Sequence, residues 1–213
     1  MHGDRGVRLH ERLGHETEEL QANADAELIA LLGPATAADY RRFVERTFGF
    51  VAPLEHSLYA TAGLDKLVDL RRFRKQTLLR ADLLGFGLKH DEIEGLPRCA
   101  IPRFESPCAA LGWAYVIERS TLSFVNLFPH LASVIPGDVA YTATYLRAHR
   151  SAAGENWKAF VAAINSIAAH TVEADLLITA AKAAFHTHRG WRDLQEQHRI
   201  GGRRERMSRT ADG

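Results

Sequence analysis

His15 and Glu19 stand four residues apart, and Arg8 precedes His15 by seven. On one helix those offsets bring all three side chains to one face. A neutral imidazole there could ligate a metal through one ring nitrogen while the carboxylate orients it through the other. Arg8, two turns earlier, could meet an anionic group on the ligand. An ordinary solvent-exposed His–Glu helix pair has the same spacing, so spacing alone leaves both readings open. A second cluster lies in "AYVIERSTLSF", residues 114–124, where Arg119, Ser120, Thr121 and Ser123 interrupt an apolar helical pattern. Small hydroxyls on a buried helix could hold ordered water over a bound group.

The remaining candidates for chemistry are weaker. Of eleven histidines, His2, His149 and His198 belong to polar segments that read as exposed. His186 and His188 are two apart, so on a helix they point to different sides and cannot share a metal. A di-iron carboxylate bundle needs Glu-x-x-His pairs on facing helices. "HDEIEG" runs in the reverse order, and "HTVEAD" places His170 before Glu173. Cys99 and Cys108 lack CxxC spacing and read as two reduced thiols.

The elements that must position these groups are helices. "ADYRRFVERTFGFVAPLEHSLYA" places Tyr40, Phe43, Val44, Phe48, Val51, Leu54 and Leu58 three and four apart. Thr36 and Asp39 supply a capping start, and Pro53 is expected to kink or interrupt the helix. "GLDKLVDLRRFRKQTLLRADLLGF" repeats the pattern. Ser106–Pro107 reads as an N-cap with proline at the first helical position. From there the chain runs helically to Pro129, and a last long or broken helix ends near Gly190. Strand signals are nearly absent. The expected fold is all-α in one domain, residues 1–195, followed by a basic disordered tail, 196–213. A net charge of +1, with 46% hydrophobic and 25% charged residues, gives no case for nucleic acid or an anionic membrane. No apolar run approaches a bilayer's thickness, and the polar N-terminus does not read as a signal peptide. These features point to a cytoplasmic protein.

Two stretches carry a family resemblance. "VRLHERLGHETEE" is similar to the pattern L-R-x-x-T-x-x-x-H-x-x-L-E that opens bacterial haem oxygenases, keeping Arg8, His15 and Glu19. "LGWAYVIERSTLSF", residues 111–124, resembles L-G-x-x-Y-V-L-E-G-S-T-L-G-G, with Leu111, Gly112, Tyr115, Val116, Glu118, Ser120, Thr121 and Leu122 in register. "NWKAFVAAIN" and "AAKAAFHTHRGW" resemble later helices, anchored by Trp157, Phe160, Phe185 and Trp191. The resemblance, closest to the branch that serves bacteriophytochromes, implies haem sandwiched between an N-terminal proximal helix and a mid-chain distal helix. His15 would ligate the iron, Glu19 would orient it, and Arg8 would meet a propionate. Ser120 and Ser123 would hold catalytic water on the distal side. Haem, both cofactor and substrate, would be opened with O2 to biliverdin, iron and CO. Electrons would come from a reductase or ferredoxin, and a bacteriophytochrome could accept the product.

One departure bears on this. The three glycine positions of the distal pattern are Arg119, Ser123 and Phe124, where absent side chains would let the backbone approach the macrocycle. Either the distal helix bends away and these side chains turn aside, or they fill the pocket. The alternative is therefore a non-catalytic haem- or tetrapyrrole-binding relative, plugged by Arg119 and Phe124.

Overall fold

A computed structural model describes the backbone of residues 7–211 and the side chains of residues 7–197. Eleven α-helices follow one another with no strand among the described residues: α1 (Leu9–Glu16), α2 (Glu18–Leu31), α3 (Ala37–Tyr59), α4 (Gln76–Gly85), α5 (His90–Glu94), α6 (Pro107–Ser120), α7 (Phe124–Val134), α8 (Pro136–Thr142), α9 (Thr144–Arg150), α10 (Ala153–Asn165) and α11 (Val172–Ala211). None is long and apolar enough to cross a membrane.

The centre of the fold is α6 against α11. Their backbones nearly touch at Gly112, where an added Cβ would lie 2.3 Å from the Leu177 carbonyl oxygen and 2.8 Å from the Ala181 nitrogen. Alanines 174, 180, 181 and 184 keep the facing side of α11 thin, and α3 packs across both helices. Tyr40, Phe48, Phe50, Phe124, Phe160 and Tyr145 are the largest side chains fully buried in the core. The apolar stripe of α3 is buried as its spacing predicts. The family-pattern anchors Phe160, Phe185 and Trp191 are buried too, and Trp157 is partly so.

The two predicted helix starts are present. Thr36 Oγ1 accepts the Asp39 amide at 3.2 Å and Asp39 accepts the Thr36 amide at 2.9 Å; Ser106 Oγ accepts the Ala109 amide ahead of Pro107. Pro53, expected to kink or interrupt its helix, lies inside an unbroken α3. The carbonyl it leaves free, that of Gly49, accepts the Cys99 amide at 2.9 Å, so the lost helical bond is replaced.

Three other boundaries differ from expectation. The stretch from Gly63 to Lys75 forms short 3-10 turns, Leu64–Lys66 and Leu70–Phe73, and only α4 is α-helical. Asp69 takes the Arg71 amide, and Glu55 of α3 takes the Lys75 and Gln76 amides at 2.9 and 2.8 Å, so side chains divide the segment. The helix from Ser106 does not run straight to Pro129. It stops at Ser120, makes a 3-10 turn over Thr121–Ser123 and resumes as α7, which carries Pro129 inside it. The last stretch takes the broken of its two expected forms, interrupted between Asn165 and Val172. Finally, α11 passes Gly190 and continues through the expected tail to Ala211; the tail's side chains from 198 on, and His2, lie outside the described residues. A single helical glycine costs only about 1 kcal/mol, and Trp191, buried just beyond it, holds α11 to the body.

Candidate functional site: the cleft between α2 and α6

The polar stretch 114–124 ends one helix and begins another. Ser120 Oγ donates to the Ile117 carbonyl at 2.8 Å, and Thr121 Oγ1 to the Glu118 carbonyl at 2.7 Å. These hydroxyls satisfy carbonyls that the end of α6 leaves open, which is one reason a buried segment holds them. The resulting bend turns Phe124 inward. It is 1% exposed and meets Tyr145 edge-on at 5.1 Å.

A small cavity lies where α2 faces α6. Ala24, Asp25 and Leu28 line it from α2, and Val116, Ile117, Arg119 and Ser120 from α6. Glu27 of α2, Phe43 and Thr47 of α3, Phe124 of α7, Tyr145 of α9 and His188 of α11 complete the wall. Its volume is about 30 Å3, enough for a water molecule or two. Arg119 closes it. Nη1 lies 2.6 Å from Asp25 Oδ1 and Nη2 2.8 Å from Oδ2, a two-point ion pair that ties the distal helix to α2.

Arg119, Ser120 and Phe124 are thus brought together as the sequence suggests, although Arg119 meets a carboxylate of the protein itself. The other expected residues are elsewhere. The helix is interrupted at buried Thr17, whose hydroxyl donates to the Leu13 carbonyl at 2.6 Å and accepts from Gln21 Nε2 at 2.7 Å. This puts His15 on α1 and Glu19 on α2, so the single helix that would pair them is absent. Both are exposed, and neither lines the cavity. Arg8 instead pairs with Glu11, at 2.7 Å. Ser123 sits in the 3-10 turn outside the lining.

His188 is a cleft residue that the spacing argument did not pick out. It and His186 do diverge, but His186 goes to solvent and His188 to the cavity wall. Its ring lies edge-on to Phe50 at 4.9 Å, and its Nδ1 is enclosed without a hydrogen-bond partner. Burial, then the charges of Arg192 and Arg46, push its pKa down to about 3, so the imidazole is neutral. Nearby, Glu27 pairs with Arg46. Burial raises the Glu27 carboxyl against the pull of Arg46 and Arg192. The signal for His188 was available in the sequence: it continues the buried stripe Ala181, Ala184, Phe185, Trp191 at helical spacing. Asp25 carried no comparable signal, because its partner is 94 positions away.

Behind the cavity, Glu118 is enclosed by Lys75 at 2.9 Å and Arg72 at 2.7 Å. Burial opposes its charge, but the two cations outweigh that and hold the carboxyl below its usual range. His149, expected in an exposed segment, is 8% exposed and packs on Tyr145 at 5.1 Å. Its short helix follows a buried cap: Asp82 accepts the Thr144 and Tyr145 amides at 2.6 and 3.0 Å. Among the described residues no three His, Cys, Asp or Glu side chains converge to hold a bare metal ion.

The chain resembles the haem oxygenase of Neisseria meningitidis, whose crystal structures hold NO and CO, with a TM-score of 0.69 and 22% identity over 87% of this chain and 90% of that one. No curated protein matches it in sequence. The family model described as Heme oxygenase matches residues 7–193, nearly the whole helical body that frames this cleft, and the chain therefore belongs to the haem oxygenase family.

Proposed function

We propose that this chain is a tetrapyrrole-binding relative of the haem oxygenases that does not open haem to biliverdin. The observation that carries the reading is the Arg119–Asp25 pair across the cleft. In their present positions the side chains leave about 30 Å3, whereas sites for ligands of this kind run to several hundred Å3. The lining nonetheless suits a haem in kind. Leu28, Val116 and Ile117 offer apolar faces, His188 a neutral imidazole with an unpartnered nitrogen, and Arg119 a guanidinium of the sort that meets a propionate. Admission requires Asp25 and Arg119 to part. Both are about a quarter exposed, so the pair is one of modest strength, worth about 1 kcal/mol or less.

Bound haem would supply the iron, the oxygen site and the macrocycle itself as the group attacked. The chain's own residues are poorly placed to assist such a reaction. Ser120 commits its proton to the Ile117 carbonyl, Ser123 lies outside the cavity, and Arg119 is engaged by Asp25. The competing reading, for a cytoplasmic enzyme supplied with electrons by a reductase or ferredoxin and passing biliverdin to a bacteriophytochrome, is favoured by one observation. Ser120 does line the cleft.

Hemin titration followed by reductant and oxygen tests the proposal. A Soret band that persists without biliverdin is the expected result. Stoichiometric biliverdin would restore the catalytic reading, and no Soret band would reject binding.

A further inference from the structure

We infer that the outward face of α11 pairs with the same face of a second copy of this chain, the two helices running antiparallel about a two-fold axis at Ala183.

The outer side of a surface helix is ordinarily charged or polar, and this one is not. Val172, Leu176, Thr179, Ala183, Gly190 and Leu194 recur three, four or seven residues apart, so they form one stripe along the helix. All six are exposed, Val172 by 81%, Leu176 by 42% and Leu194 by 45%. His186, at the edge of the stripe, is its one ionisable side chain. The opposite side of α11 buries Leu177, Ala181 and Ala184 against α6, so the helix is apolar on two faces and only one is covered. From Val172 to Leu194 the uncovered face runs about 33 Å at the α-helical rise. An exposed apolar surface of that extent marks a contact site.

Size and charge along the stripe select a second copy as the partner. A two-fold axis at Ala183 sets Val172 beside Leu194 of the partner subunit and Leu176 beside Gly190 of the partner subunit. Gly190 leaves a notch, with nothing within 4 Å of the point where a Cβ would stand, and a leucine side chain can enter it. Asp175 and Arg189 lie on one flank of the stripe, eight residues before the axis and six after it. Antiparallel helices bring each of them near the opposite charge of the other copy, as flanking charges do in paired helices. Both are available. Arg189 is exposed, and Asp175 gives one oxygen to Arg12 yet stays 63% exposed. Lys182, between them, is already met by Glu16 at 2.6 Å. A parallel pair would instead set Asp175 against Asp175 and Arg189 against Arg189, which repulsion disfavours. The contact uses the same patch on both copies, so it closes at a dimer. One helix seam is small for an interface, and the dimer is therefore a concentration-dependent one.

Sedimentation equilibrium of the full chain over a range of concentrations tests this, with circular dichroism reporting fold. The unaltered chain should pass from monomer to dimer. Ala183→Glu sets two like charges on the axis; the position is exposed in the monomer, so the helical signal should be unchanged and the dimer lost. Arg189→Glu opposes Asp175 of the partner subunit and should weaken the dimer at least about tenfold. Orientation is read by oxidative cross-linking in a Cys108→Ser background. Ala183→Cys should cross-link to itself across the axis, whereas Val172→Cys, which a parallel pair would also join, should not. A chain that stays monomeric at about 1 mM overturns the pairing and leaves the face to a different partner. A dimer untouched by Ala183→Glu and Arg189→Glu places the interface elsewhere, and self cross-linking through Val172→Cys overturns the antiparallel arrangement.

Discussion

Glu118 is enclosed by two cations, 3% exposed itself and 2.7–2.9 Å from both partners. Removing it strands Lys75 and Arg72 in the interior, so Glu118→Ala should destabilise the fold by about 3–5 kcal/mol, read as a lowered urea midpoint. Glu118→Leu together with Lys75→Met should recover part of that loss. His149 gives a pH prediction. Burial, then the cations Lys75 and Arg72, outweigh the attraction of Glu118 and depress its folded pKa to about 3 from 6.5. The unfolded chain therefore binds the extra proton, and this contribution is complete above pH 6.5 and drains away as pH falls toward 3. Asp82 runs the other way. Burial raises its folded pKa to about 6 from 3.8, so its contribution is complete below pH 3.8 and fades as pH rises to 6. Asp82 and His149 offset one another between pH 4 and 6, but His188 is depressed to about 3 as well, so the unfolding free energy of the parent should rise with pH there by no more than roughly 1.4 kcal/mol per unit. His149→Gln should reduce that slope; an unchanged slope would place the titration elsewhere.

Elements in this fold are bounded by side chains as much as by propensity. Apolar spacing made α3, α6 and α11 readable, and Thr36–Asp39 and Ser106–Pro107 marked two starts correctly. The periodic run after Gly63 was misread because Glu55, on another helix, captures the amides that would continue it. Pro53 was misread for a related reason, since an amide from a distant loop satisfies the freed carbonyl. Partners remote in sequence leave no local trace. The α6–α11 crossing makes a sharp prediction. Gly112→Ala sets a methyl group against backbone that cannot move aside, and should cost about 3 kcal/mol or more, seen as a large drop in Tm. Gly190→Ala meets nothing within 4 Å and should instead stabilise α11 by up to about 1 kcal/mol. Equal effects of the two would show that the close approach at Gly112 is not what holds these helices together.

At the scale of the whole molecule, the chain keeps its family's helical frame, and its own side chains close the cleft within that frame. Three of the expected site residues, Arg119, Ser120 and Phe124, reach the cleft because they share one segment. His15 and Glu19 do not, because an interruption at a threonine separates elements that spacing alone would join. The closing contact, Asp25 with Arg119, joins two helices far apart in sequence and is visible only in three dimensions. Arg119→Gly should therefore lower stability by less than about 1 kcal/mol while raising hemin affinity, and a stopped-flow mixing experiment should show faster hemin entry. The most direct measurement is the fate of one equivalent of hemin bound to the unaltered chain when ascorbate and oxygen are supplied. The cleft geometry predicts that the Soret absorbance persists and no biliverdin is extracted. A full equivalent of biliverdin would contradict it.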